Sequence, residues 1–219
     1  MNSQQFEYLL QGAWGTLLLS CLTFLFAGIL GMAVALSRVS PLKPVRHAAS
    51  AYIQLIQGTP LLVLMGVCFY GPNLLGVTSV PALLAATLAL TIQSSAYFGE
   101  IWRGCIQSVE RSQWEAAECL GFSRLQRMAL VILPQALRIA TPPTVGFMVQ
   151  IVKNTSIASL VIGYAELSYN AKILNNSTFE PFLYFGCAAA LYFAICYPMS
   201  LWSRKLEKRL NAARGAVML

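Results

Sequence analysis

Two short sets of polar side chains stand inside long apolar stretches of the sequence. Gln93, Tyr97 and Glu100 recur at i, i+4 and i+7, and Gln150, Lys153 and Asn154 at i, i+3 and i+4, with Thr155 and Ser156 directly after them. On helices each set falls on one face. Amides, hydroxyls and a single ammonium would hold a carboxylate loosely, which suits a group in transit, since tight charge neutralisation hinders release. Gly58-Thr59-Pro60 adds a third feature, because proline lacks an amide hydrogen and leaves a carbonyl free one turn upstream. A polar path between helices is one use for these groups. The other is adhesive: hydrogen bonds between helices of about 0.6 kcal/mol each, Lys153 snorkelling, Glu100 paired with Arg103, and Gly58-Thr59-Pro60 acting only as a kink. The residues alone leave both open. Hydrolytic chemistry is unsupported: His47 is the only histidine, no Ser, His and acid set converges, and no GxxxxGK[ST] loop is present to wrap phosphates.

The elements that carry these groups must lie in a membrane. At 57% hydrophobic and 11% charged residues, the 219-residue chain has too little charge to cover a water-soluble globule. Residues 12–37 carry no charge and hold one span at about 1.5 Å per residue. Residues 48–99 are also uncharged but too long for one crossing, and Gly71, Pro72, Asn73, Gly76 and Pro81 divide them into spans at about 48–70 and 82–104. The runs at 135–163 and 181–203 supply spans four and five. A central lysine facing lipid costs about 3 kcal/mol, so the stripe holding Lys153 is expected to turn inward. Gly12, Gly15, Gly28 and Gly31 would let a neighbouring helix approach span one closely. Six isolated cysteines, without a CxxC pair or nearby histidine, read as packing residues.

Charge orients the five spans. Arg38, Lys43 and Arg46 fall in the first loop, five arginines between 103 and 138, and Arg204, Lys205, Lys208, Arg209 and Arg214 at the tail, which puts 13 of 15 bases on one side. The other side holds Lys172, Glu7, Glu166 and Glu180. Positive-inside bias therefore places the N-terminus outside and the C-terminus in the cytoplasm. Organised charge of this kind marks cytoplasmic loops rather than nucleic-acid binding. With no repeat or soluble module, residues 1–219 read as one all-α integral membrane domain in contact with lipid.

The segment 113–138, QWEAAECLGFSRLQRMALVILPQALR, is charged and amphipathic, unlike the spans around it. Glu115-Ala116-Ala117, then Gly121, then Leu133-Pro134 at the next membrane boundary resemble the signature of bacterial ABC importer permeases. Val131 and Ser112 stand where that family usually has Ile and Gly. QGTPLLV (57–63), AYFGEIWRGCIQSV (96–109) and VKNTSIASLVIGYAEL (152–167) resemble its polar amino-acid branch, the histidine, glutamine, arginine and opine type. On their own chemistry, Ala116 and Ala117 permit close backbone approach, Glu115 can reach basic or amide partners, and Gly121 can take the left-handed turn that ends a helix.

The resemblance implies a type I ABC importer permease fold with a short cytoplasmic coupling helix near 111–125. It implies two copies of a separate ATPase that hydrolyse ATP with Mg, a second permease subunit, identical or homologous, and an extracytoplasmic amino-acid-binding protein. The expected location is the bacterial cytoplasmic (inner) membrane. No cofactor or metal is expected on this chain, and no catalytic residue. Glu115, Ala116, Ala117, Gly121, Leu133 and Pro134 are expected to couple to the ATPase. Gly58, Thr59, Pro60, Gln93, Tyr97, Glu100, Gln150, Lys153, Asn154, Thr155 and Ser156 are expected along the path of a polar amino acid. The alternative is a self-sufficient channel or ion-driven carrier, with the 113–138 loop lying idle at the interface.

Overall fold

Asn2 opens the first helix, its amide donating to the Gln5 side chain at 2.8 Å. No breaker follows before Ser40-Pro41, so α1 runs 36 residues from Ser3 to Arg38, starting ahead of the expected 12–37 span. In a computed structural model, the structure describes residues 1–76 and 80–215, which are helix and connecting turns with no strand among them. The single-domain expectation runs to Leu219, and residues 216–219 lie outside the described residues.

After α1 come α2 (Lys43–Gln57), α3 (Leu61–Tyr70), a 3-10 turn (Gly71–Leu75) and α4 (Ala82–Gln107). Next are α5 (Arg111–Cys119), the single turn α6 (Arg124–Gln126), a wide π turn (Arg127–Ile132) and α7 (Leu133–Asn154). The chain closes with α8 (Ser156–Val161), α9 (Leu167–Thr178) and α10 (Pro181–Gly215). Among the described residues, four helical stretches are long and apolar enough to cross a membrane, or five if the α2–α3 pair forms one broken span.

The second expected span differs most from the sequence reading. Instead of one kinked helix over 48–70, α2 and the segment from Leu61 to Leu74 meet at 99°. Pro60 cannot donate to Ile56 and pushes Thr59 out of helical geometry, so the helix stops and restarts. The freed carbonyls do not remain available. Thr59 N donates to Ile56 O at 3.2 Å and Thr59 Oγ1 to Leu55 O at 2.8 Å.

Small residues set the deepest packing. Gly31 meets Phe98 and Ser95, Gly99 meets Val34 and Ala35, and Arg38 reaches Glu100, so residue numbers rise together and α1 and α4 run parallel. A Cβ on Gly31 would fall 2.6 Å from the Phe98 Cβ, and one on Gly99 2.5 Å from a Val34 methyl. Gly12 and Gly15 press on α9 and the loop before it. Gly28 has nothing within 4 Å, so it plays no part in the close approach expected of the four glycines. α7 and α10 run antiparallel: Ser203 Oγ donates to Pro142 O at 2.8 Å near one end, and Val149 and Val152 pack on Cys196 further along. The cysteines form no disulfide with one another; Cys105 and Cys196 are buried, whereas Cys21 and Cys119 are exposed.

Candidate functional site

Two regions carry the residues singled out by the sequence. The first is the loop between α4 and α7. Glu110 precedes α5, and the helix ends in a paired-bond cap: Phe122 N donates to Ala117 O at 3.2 Å and Gly121 N to Glu118 O at 2.9 Å. Gly121 takes φ +77°, the left-handed conformation that glycine adopts without steric cost. The helical part is thus Arg111–Cys119, shorter than the expected 111–125.

One face of α5 is committed to this chain. Trp114 packs on the cluster of Ile106 from α4, Val109 just after it, Ile132 from the π turn and Ala136 from α7. Ala117, expected among the coupling residues, is only 2% exposed, so its methyl faces this chain rather than the open side of α5. Glu115 and Ala116 lie on the exposed face, with Leu120 73% exposed beyond them. Arg111 Nε lies 2.8 Å from Glu115, and Arg127 Nη1 2.7 Å from Glu118, while Gln135 Nε2 donates to Gln113 at 3.2 Å. The first pair lies within α5; the other two tie it to the π turn and α7. Leu133 is half-buried in the α5 cluster and Pro134 is exposed. Proline at 134 has no amide for the Leu130 carbonyl and crowds it, which accounts for the ladder widening to π geometry just upstream.

The second region holds the polar stripes, and the structure separates them. Tyr97 stacks on Phe147 with ring centroids 5.1 Å apart. Asn154 lies seven residues from Phe147 on the same side of α7, whereas Lys153 is turned about 120° away at about 100° per residue. Gln150 Nε2 donates to Asn154 Oδ1 at 3.0 Å. Lys153 instead lines an open groove of about 280 Å³ between α7 and α10, with Val149, Tyr192, Cys196, Tyr197 and Arg204. Tyr192 and Cys196 are centred in the uncharged 181–203 run, so Lys153 stands at mid-span level.

The remaining expected path residues divide further. Gln93 is 9% exposed and packed within the bundle. Glu100 accepts from Arg103 Nε at 3.0 Å and has Arg38 at 3.7 Å, the local pairing that the adhesive reading anticipates. Thr155 is fully buried and donates to Val152 O at 2.8 Å, and Ser156 Oγ donates to Lys153 O at 2.8 Å. Both hydroxyl hydrogens thus serve the break between α7 and α8. Gly58, Thr59 and Pro60 form the α2–α3 corner.

The sequence reading missed a buried hub. Glu166, expected in an outer loop, is 0% exposed and caps α9: its Oε1 accepts from Tyr169 N at 2.8 Å. Oε2 accepts from Thr16 Oγ1 at 3.4 Å and from the Tyr192 hydroxyl. Gly15 is required there because a Cβ would lie 2.3 Å from Ala165 O. The available signal was Glu166 three residues before Tyr169, directly ahead of a helical run.

Comparison with known proteins fits this architecture. Residues 27–212 match the family described as binding-protein-dependent transport system inner membrane component. The chain is 34% identical over 206 residues to the probable amino-acid ABC transporter permease protein YckA of Bacillus subtilis strain 168, covering 94% of this chain and 90% of that protein. It is 37% identical to the probable glutamine ABC transporter permease protein GlnM of the same strain, covering 94% of each. A solved structure described as an amino acid ABC transporter with histidines superposes with TM-score 0.87 at 34% identity, covering 94% of this chain and 95% of that one. The fold is thus that of an ABC transporter permease, as the type I expectation anticipated, and the chain is a multi-pass membrane protein. This chain belongs to the family of binding-protein-dependent transport system inner membrane components.

Proposed function

We propose that the chain is the permease subunit of an ATP-driven bacterial importer of polar amino acids, and that α5 is its coupling helix. The observation that carries this reading is the two-sided character of α5: Trp114 packs on the cluster that joins the end of α4 to the α7 segment and Ala117 is buried, while Glu115 and Ala116 stay exposed for another protein. ATP and Mg are handled by two copies of a separate ATPase, and this chain binds no cofactor. A second permease copy or homologue completes the path, since five helices make a thin wall around an amino acid, and an extracytoplasmic binding protein delivers the substrate. The chain crosses the inner membrane five times with its N-terminus outside, the α2–α3 pair counting as one broken span.

In this mechanism, closure of the ATPases pulls the Glu115–Gly121 segment, and because α5 is tied to both flanking spans they rock together as rigid bodies. Lys153 presents its ammonium to the substrate carboxylate at mid-span from the α7–α10 groove. Two measurements test the reading. A cysteine at Ala116 should cross-link to the ATPase subunit in membranes. Purified permease alone in liposomes should move no amino acid, whereas the complete complex with ATP should; flux through the permease alone would instead establish a channel or carrier.

A further inference from the structure

We propose that Tyr192 is a wall of the substrate path, contributing an aromatic face for the amino acid's ammonium group, and that Glu166 is the positioning residue that fixes it. The proposal rests on the reading of Lys153 as a path residue.

Tyr192 joins two parts of the protein. It packs against the α1–α9 cluster of Leu9, Ala13 and Leu167, and also against Val149, Val152 and Cys196 beside Lys153. It lines the α7–α10 groove together with Lys153. Its hydroxyl donates to buried Glu166 and lies 3.1 Å from Ser168 Oγ. A tyrosine anchored by its hydroxyl at one end and by its ring on the α7 valines has little freedom to rotate. Glu166 is itself held by Tyr169 N and Thr16, so the anchor does not move.

The consequence is a complementary pair at one depth. Lys153 supplies a cation for a carboxylate, and a tyrosine face attracts an ammonium or guanidinium group. A free amino acid carries both charges. Glu166 is fully enclosed and acts only through the ring it holds.

The test is equilibrium binding of each radiolabelled proteinogenic L-amino acid to the purified permease–ATPase complex without binding protein, with melting temperature measured alongside. For the tightest ligand of the wild type, Tyr192→Phe keeps the ring but frees it from its anchor and should raise Kd about three- to tenfold, while the melting temperature falls because buried Glu166 loses a hydrogen bond. Tyr192→Leu, which removes the aromatic face, should weaken binding further. Glu166→Gln should match Tyr192→Phe, and the double variant should be no weaker than the weaker single one. Unchanged Kd in both Tyr192 variants, or Glu166 and Tyr192 effects that simply add, overturns the proposal. Should Glu166→Gln fail to assemble, Glu166→Asp takes its place and the two Tyr192 variants still decide. Lys153→Ala separates the readings: weaker binding there with unchanged Tyr192 variants sinks this inference alone, whereas unchanged binding in Lys153→Ala removes the path role of Lys153. A wild type that binds none of the amino acids sinks both.

Discussion

The Glu166 hub and the α5 loop use the same residue types to opposite ends. In the hub, a glutamate is fully buried and saturated by Tyr192, Thr16 and Tyr169, and Gly12 and Gly15 are needed because there is no room for a side chain. In the loop, Glu115 is exposed and paired only with its own helix, and Gly121 has open space around it but needs φ +77°. The first glycine–glutamate pairing closes an internal joint. The second terminates a helix sharply and leaves one face open. A buried joint in a bilayer must satisfy its polar groups itself, whereas a water-exposed surface can leave them to water or to a partner.

Substitutions at these two joints should separate the two roles. The largest effect is expected at Gly15→Leu, which forces side-chain atoms into Ala165 O and costs about 1–3 kcal/mol or more, so membrane abundance should fall sharply; Gly28→Leu, with open space, should assemble normally. If both behave alike, the hub is not the tight joint described. Gly121→Val follows: a β-branched residue in the left-handed region costs about 1–2 kcal/mol, enough to misdirect the cap without unfolding the spans. Retained membrane level with ATP hydrolysis uncoupled from uptake is the expected result, and preserved coupled transport would count against α5 as the lever.

Neighbouring alanines sharpen the contrast within α5. Ala117→Glu puts a charge at a buried position and should lower the melting temperature, while Ala116→Glu should leave it unchanged yet reduce ATPase co-purification. Equal melting shifts for the two would mean that α5 is not seated by one face. The smallest effect is expected at Arg111→Ala, since its exposed i,i+4 pair with Glu115 contributes at most about 0.5 kcal/mol; thermal denaturation should barely change.

Some of this was legible in the chain of residues. The 23-residue run 181–203 announces a span because nothing in it is charged, and Glu115-Ala116-Ala117 with Gly121 announces a capped helix. Periodicity also put Gln150, Lys153 and Asn154 on one face, but a helix face is wide enough for Asn154 to share a side with Phe147 while Lys153 turns to α10. Glu166 escaped notice because a lone acid beside an apolar run looks like a loop residue until two donors from distant positions, Thr16 and Tyr192, arrive around it.

By itself, then, the sequence determined the membrane class, the approximate apolar stretches and the charged loop that stands apart from them, since these follow from local composition, breakers and short-range spacing. Only the tertiary structure decided that the polar stripes diverge, that Ala117 is buried, that α2 and α3 meet at 99°, and that Thr16, Glu166 and Tyr192 meet. Those outcomes depend on which faces of distant helices pack together, and residues separated by up to 150 positions exert no pattern on one another along the chain.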